Sequence, residues 1–330
     1  MKPNAPMSTL STNNIINHCL DEEFSYNSIK NVRHNIYTDN LEAVVELSKN
    51  GCRYISGKFD QPNQWKLEWI LFFINSVILK HKLNINCVAV INFNDGIQPN
   101  QFYTRLAWHR HKDSPHVCIP DPLTCGHLIM NNKIREYRSN DIPVEKKEMK
   151  AIFRGSDTGK IRNNLKNQRI EVCHSLKDSK LIDAKITSCF HFNPDLLKEH
   201  GMNIKTLETL SRSSSQEQLK YKYLLYMHGN SVSPDRIMWH LDSNSIVIQP
   251  KPRTLEMDYT WACSYIYDHK LIPILEEQLL EVELEELDKN GDLFSINKRQ
   301  QEFAKIVLDI KTQEQYLANV LTRYNSIYNS

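Results

Sequence analysis

The apolar and polar positions of the chain fall into two α/β stretches followed by a helical tail. Residues 1–15 carry no period and predict a loose tail. Leu41 to Ser48 (LEAVVELS) predicts a short helix, and Cys52 to Phe59 a strand. From Gln64 to Lys82 apolar residues lie on most sides of a helical wheel, which predicts a helix buried nearly all round. Asn86 to Phe93 (NCVAVINF) is a continuous β-branched run, the pattern of a central parallel strand covered on both faces.

Asn94 to Pro122 is polar and contains prolines, and a helix is expected near Gly126 to Tyr137. Arg138 to Lys147, with Pro143, has the composition of an inter-domain linker. The rhythm then restarts with a strand at Met149 to Phe153, a basic helix at Gly159 to Gln168 and a strand at Leu181 to Thr187. After a serine-rich loop at Ser211 to Ser215 come a strand at Tyr221 to Met227, a helix at Asp235 to Leu241 and a strand at Ser245 to Ile248. Phe303, Ile306, Val307 and Ile310, then Leu317, Val320, Leu321 and Tyr324, mark closing helices at Ile296 to Ile310 and Gln313 to Ile327. The expected architecture is α/β: two facing Rossmann-like domains, residues 1–140 and 141–330, with terminal helices packing back on the first. Ligands of such folds bind at the carboxyl ends of strands, in the cleft.

The 330 residues suffice for two cores, and a net charge of +2 gives no global field for nucleic acid. Charge is uneven locally. Residues 131–170 hold eleven Lys and Arg against five acids, whereas 275–288 is acidic. The eight cysteines form no C-x-x-C pair and fit neither a zinc site nor a disulfide scaffold, so reduced thiols are expected. No signal peptide is visible, and the apolar run Trp69 to Leu79 is interrupted and too short to span a bilayer. These features predict a cytoplasmic protein.

Four places carry residues suited to chemistry. In Phe153 to Gly159 (FRGSDTG), Gly155 lets a ligand approach the backbone. Ser156, Thr158 and helix-start amides suit phosphate oxygens, and Arg154 suits a bidentate phosphate clamp. The same residues also read as a strand-to-helix turn with a capping hydroxyl. In His228 to Arg236 (HGNSVSPDR), Asn230 or Ser233 suits a nucleotide and Arg236 a diphosphate. There too Ser233, Pro234 and Asp235 read as a helix start, and both readings hold together. Asp95, after the best buried strand, is placed either as a general base or in an Asp-Gly turn. His109, His111 and His116, with Trp108 and Arg110, read as a polar cleft loop, since no matching acid or cysteine pattern makes a metal site.

Three blocks together resemble glycosyltransferase family 90, which includes LpsA-type lipopolysaccharide glycosyltransferases, capsule-associated proteins and Rumi-type protein O-glucosyltransferases. They are FRGSDTG with Arg162 following, LIDAKIT (181–187) and KYKYLLYMHGNSVSPDRIMWHLDSNSIVIQPKP (220–252) within a match of roughly Asn86 to Ile274. SNSIVIQPKP followed by Trp261 is most similar to the LpsA branch.

The resemblance implies a GT-B fold and inverting transfer from a UDP-sugar to a glycan hydroxyl, in lipopolysaccharide or another surface glycan, with neither metal nor other cofactor. It implies Asp95 as catalytic base, and Arg154, Ser156 and Arg236 at the donor diphosphate. Gly155, Thr158, Gly229, Asn230, Ser231 and Ser233 would form the nucleotide and sugar loops. A lipid-linked acceptor would bring the protein to the inner membrane face, where basic residues of 131–170 can meet lipid. Two positions depart from the family pattern: Ser231 stands where Asp is common, and Ser264 where a Glu near the donor ribose is expected. A non-catalytic glycan-binding scaffold therefore stays as the alternative. A phosphoryl transferase is disfavoured by the lack of a G-x-x-x-x-G-K-[ST] loop.

Overall fold

In the computed structural model, residues 10–24, 42–58, 64–93, 104–111, 114–159, 167–188, 195, 198, 213–229, 232, 234–252 and 258–330 are described. They form two five-stranded sheets flanked by helices, a mixed α/β architecture consistent with Rossmann-like folding.

The first sheet has the order β2-β1-β3-β4-β6, built from β1 (Glu42–Ser48), β2 (Gly51–Lys58), β3 (Asn86–Asn92), β4 (Leu106–Ala107) and β6 (Val117–Cys118). The helix expected at Leu41 to Ser48 is instead β1, paired antiparallel to both β2 and β3. Its Ala43, Val45 and Leu47 enter the core opposite Ile91, Ala89 and Cys87. Long-range pairing on both edges outweighs the weak helical preference of eight residues. Lys49 and Asn50 make the turn into β2. Gly51 follows at φ +126°, where a side chain is strained and a Cβ would sit 2.0 Å from Asn75 Oδ1. β3 is central as expected, but in a mixed sheet: parallel to β4 and antiparallel to β1.

Helix α1 (Thr12–Phe24), begun within the expected tail, buries Ile15, Ile16, Cys19, Leu20 and Phe24. Helix α2 (Gln64–Lys80) buries one face, through Ile70, Phe73, Ile74, Val77 and Ile78. Trp65, Phe72 and Leu79 stay exposed, so the all-round burial expected of it does not occur. The single helix expected near Gly126 to Tyr137 is a π-helical segment, Leu123–Met130, then α3 (Lys133–Asn140). They are separated at Asn132, which has a left-handed φ of 57°.

The second sheet is parallel throughout, with the order β12-β10-β9-β7-β8. Its strands are β7 (Glu148–Ser156), β8 (Ile182–Ser188), β9 (Tyr221–Leu225), β10 (Ile246–Pro250) and β12 (Ile274–Leu275). The short ribbon β5 (Arg110–His111) with β11 (Asp258–Tyr259) joins segments far apart in sequence. Around the second sheet lie α4 (Gln168–Ser175), α5 (Ser215–Gln218), α6 (Pro234–Leu241), α7 (Cys263–Asp268) and α8 (Leu280–Asn290).

One face of this sheet packs Ala151, Phe153, Tyr223 and Leu225 with α4 and α8. On the other, Ile152, Leu224 and Val247 belong to the same core as β1, β3 and α2. Helix α9 (Leu293–Val307) ties β10 down through Gln300, which accepts from Val247 N at 3.0 Å and donates to Val247 O at 3.0 Å. Helix α10 (Ile310–Asn329) lies against the first sheet, where the hydroxyls of Tyr316 and Tyr324 donate to Cys118 O (2.9 Å) and Val88 O (3.3 Å).

Candidate functional site

β7 is longer than its sequence pattern suggests and runs to Ser156, so Arg154 and Gly155 are strand residues rather than part of a turn. Alternation then sorts them. Phe153 and Gly155 share a face, on which a Cβ at Gly155 would meet Phe153 Cζ at 2.7 Å and Arg236 Nη1 at 3.1 Å. Arg154 points the other way. Its Nη1 donates to the Asp183 main-chain oxygen (2.8 Å) and to Asp183 Oδ1 (3.1 Å), and its Nη2 to Asp183 Oδ2 (2.5 Å). The expected diphosphate clamp at Arg154 is thus engaged by a carboxylate on β8. Arg236, in the first turn of α6, donates instead to the main-chain oxygen of Arg154 at 3.0 Å.

Most of the basic helix expected at Gly159 to Gln168 lies outside the described residues, and α4 begins at Gln168. Asn167 caps it, its side-chain oxygen accepting from Arg169 N and Ile170 N. Arg169, one residue into that helix, is the group that sequence reasoning missed. It is buried, and Nη1 donates to Ser156 O (3.0 Å) and Thr158 Oγ1 (2.9 Å), while Nη2 donates to Met227 O (2.8 Å). The ends of β7 and β9 are thereby held by one guanidinium. Its Nε is a buried donor with no acceptor among the described residues. Burial, and after it the neighbouring Arg236, push this guanidinium down to about 9, still charged at neutral pH. Among the described residues no carboxylate forms an ion pair with Arg169 or Arg236.

Two hydroxyls sit beside this pair, Ser156 Oγ and Thr158 Oγ1, 3.0 Å apart. Gly229 is close-packed over them: a Cβ there would lie 3.0 Å from Arg169 Nη2 and 3.1 Å from Thr158 Oγ1. The structure therefore brings Ser156, Gly155, Thr158, Gly229 and Arg236 together around Arg169. Beyond β9 the His228 ring nitrogen Nε2 meets the Tyr267 hydroxyl at 2.9 Å, and that hydroxyl donates to Gln249 Oε1 at 3.4 Å. Ser264, where the resemblance led to the expectation of a glutamate, is buried and directs its hydroxyl to Cys19 Sγ at 3.9 Å.

Asp95, Asn230, Ser231, Ser233 and Arg162 lie outside the described residues. The strand leading to Asp95 ends in a buried polar network. Glu42 Oε1 accepts from Asn92 Nδ2 (2.9 Å) and from Arg105 Nε (3.2 Å), which fixes the end of β3. The loop with His109, His116 and Trp108 is buried rather than open to a cleft. Arg110 there is held by Glu23 (3.1 Å) and Glu22 (3.3 Å) of α1. Among the described residues no three His, Cys, Asp or Glu side chains are grouped to hold a metal ion. The seven described cysteines are free thiols, and burial pushes Cys52 and Cys87 up to about 12, so they are protonated at neutral pH. Among the described residues no helix is long and apolar enough to cross a membrane.

This arrangement, cationic groups and hydroxyls at the carboxyl ends of parallel strands, is one that a nucleotide's phosphates fit. The family model for glycosyl transferase family 90 matches residues 128–330, which include β7 to β12 and every described member of the cluster. The chain belongs to glycosyl transferase family 90. That family assigns it to the enzymes of glycosyl transfer, with a nucleotide-sugar donor and a glycan acceptor in general. No curated protein matches the chain.

Proposed function

We propose that the chain is an inverting, metal-independent glycosyltransferase of GT-B type, residues 1–140 serving the acceptor and 141–330 the donor. It transfers a sugar from a UDP-sugar to a glycan hydroxyl of lipopolysaccharide or another surface glycan, on the cytoplasmic side. The observation that carries this reading is the Arg169–Arg236 pair beside Ser156 and Thr158. These are two positive charges with which no described carboxylate forms an ion pair, at strand ends where a leaving diphosphate is expected.

In the mechanism, Asp95 takes the proton of the acceptor hydroxyl as its oxygen attacks the anomeric carbon. The bond from that carbon to the diphosphate oxygen breaks on the opposite face. Negative charge grows on the diphosphate, where Arg236 and the Ser156 and Thr158 hydroxyls face it. Arg169 adds its charge from beneath and fixes the loops that present them. Two guanidinium groups fill the part that a divalent cation would otherwise take. Arg154, bound to Asp183, acts here through the strand geometry rather than by touching phosphate.

The test is a screen of nucleotide sugars for release of nucleoside diphosphate, with and without a chelator. Turnover that persists in chelator is expected. Asp95→Asn is expected to lose about 10²–10⁴-fold in rate while keeping diphosphate affinity. Unchanged turnover in that variant removes Asp95 as the base. One observation favours a second reading, a glycan-binding scaffold: the buried Ser264 hydroxyl cannot replace a ribose-binding carboxylate. Calorimetry with UDP separates the two, because a scaffold need not bind it.

A further inference from the structure

A second basic feature lies away from the strand ends. Lys150 on β7, Lys177 and Lys180 on the α4–β8 connection, and Lys185 on β8 line a hollow of about 510 Å³ at the open edge of the second sheet. One carboxylate, Asp183, shares the lining, and both its oxygens are taken by Arg154. Lys150 pairs with Glu148 at 2.8 Å, outside the hollow's lining. Among the described residues no ion pair engages Lys177 or Lys180, both of which are exposed.

Protection of an edge strand by lysine accounts for Lys185, which stands on that strand. It does not account for Lys177 and Lys180, which precede the strand, or for Lys150, which is on the next strand in. Like charges drawn around a concavity repel one another and gather anions. We propose that this hollow binds a phosphate-bearing anion. Lysine ammonium groups, compact and multiply donating, meet phosphate as point charges without a fixed fork geometry, which suits a phosphomonoester or a lipid phosphate on an open surface. The site is separate from the proposed donor pocket. Lys185 lies on the edge strand, Lys177 and Lys180 on the α4–β8 connection and Lys150 near the start of β7, whereas the Arg169–Arg236 pair lies at the carboxyl ends of β7 and β9.

The experiment uses the full chain with UDP present in excess, so that the donor pocket does not report. Binding is measured to inorganic phosphate by calorimetry. It is measured by co-sedimentation to vesicles of phosphatidylcholine alone and of phosphatidylcholine mixed with phosphatidylglycerol. The wild type is expected to bind inorganic phosphate or the anionic vesicles, but not the neutral ones, with affinity falling as salt rises. Lys177→Glu/Lys180→Glu is expected to weaken that binding about tenfold or more. Lys177→Ala/Lys180→Ala, gentler at these exposed positions, should show a smaller loss in the same direction with an unchanged melting midpoint.

Binding to vesicles alone assigns a lipid phosphate, and binding to phosphate alone a soluble ligand. Either supports the site if the variants lose it. Failure of the wild type to bind both probes, or equal binding by both variants, overturns it. UDP affinity, measured separately in the same variants, should stay as in the wild type. Its loss from all proteins would fault the donor reading and leave this one standing.

Discussion

Arg236 donates from Nη1 to the main-chain oxygen of Arg154 at 3.0 Å, yet the two side chains lie on opposite faces of β7. Neighbours in sequence-based reasoning, they answer to different partners. The half-buried Arg154–Asp183 contact ties β7 to β8, and hydrogen bonds to charged groups of this kind contribute about 1.5–3 kcal/mol. A double-mutant cycle of Arg154→Ala and Asp183→Ala should therefore show coupling in denaturant unfolding, while each single variant changes UDP affinity less than Arg236→Ala does. UDP affinity lost at Arg154→Ala and kept at Asp183→Ala would return Arg154 to the phosphates.

Gly155 is held to zero side-chain volume by the ring of Phe153 and the head of Arg236. The added methyl of Gly155→Ala is expected to shift both the buried Phe153 ring and the Arg236 head, and to cost about 1–3 kcal/mol in overpacking. UDP affinity should fall roughly tenfold if the shift costs Arg236 one hydrogen bond to phosphate. Calorimetry together with a melting curve checks both. Full affinity in a destabilised protein would mean that Arg236 does not serve the phosphates.

Arg169 holds two main-chain oxygens, Ser156 O and Met227 O, on different strand ends. Arg169→Met removes both donors at a buried position, at about 1–3 kcal/mol for each acceptor left unmet. Arg169→Lys lacks the fork that reaches both and should recover less than half of the loss. Urea unfolding of the two variants measures this. A methionine variant as stable as the parent would contradict the bridging role.

Much of the second sheet was legible because buried parallel strands read as unbroken apolar runs, as in AIF within β7, YLL within β9 and IVI within β10. β1 was not, because Glu42 and Glu46 fall four apart and suit a helix as well as a strand. The Asn50-Gly51 pair between the stretches AVVEL and CRYIS was the hairpin signal that could have found it. Helix α1 was also written in the sequence, in Ile15, Ile16, Cys19 and Leu20. Arg169 was not. Nothing near it in the chain marks an arginine in a first helical turn as buried, and its acceptors come from positions 11, 13 and 58 residues away. The pairing of Arg154 with Asp183 was not legible for a related reason, since alternation along a strand decides its direction and the end of β7 could not be fixed to within a residue or two.

Asp121, just after β6, gives the chain a predictable response to pH. Its carboxyl is buried, Oδ1 accepts from Thr124 N at 2.7 Å, and the turn opens the π-helical segment. Burial first, and the nearby Asp235 in addition, raise it from 3.8 to about 6 against the lowering effect of the Thr124 bonds. Between those values the folded chain keeps a proton that the unfolded chain has released, so stability falls as pH rises through the window and is level above it. A shift of about two units corresponds to about 3 kcal/mol. Asp121→Asn keeps an oxygen for Thr124 and removes the ionisation. It is expected to be more stable than the parent at pH 7, with the advantage shrinking toward pH 4. Denaturant midpoints at pH 7 and pH 4 test this. Parallel midpoints in the two proteins across that range would show that Asp121 is ionised as readily in the folded chain as in the unfolded one.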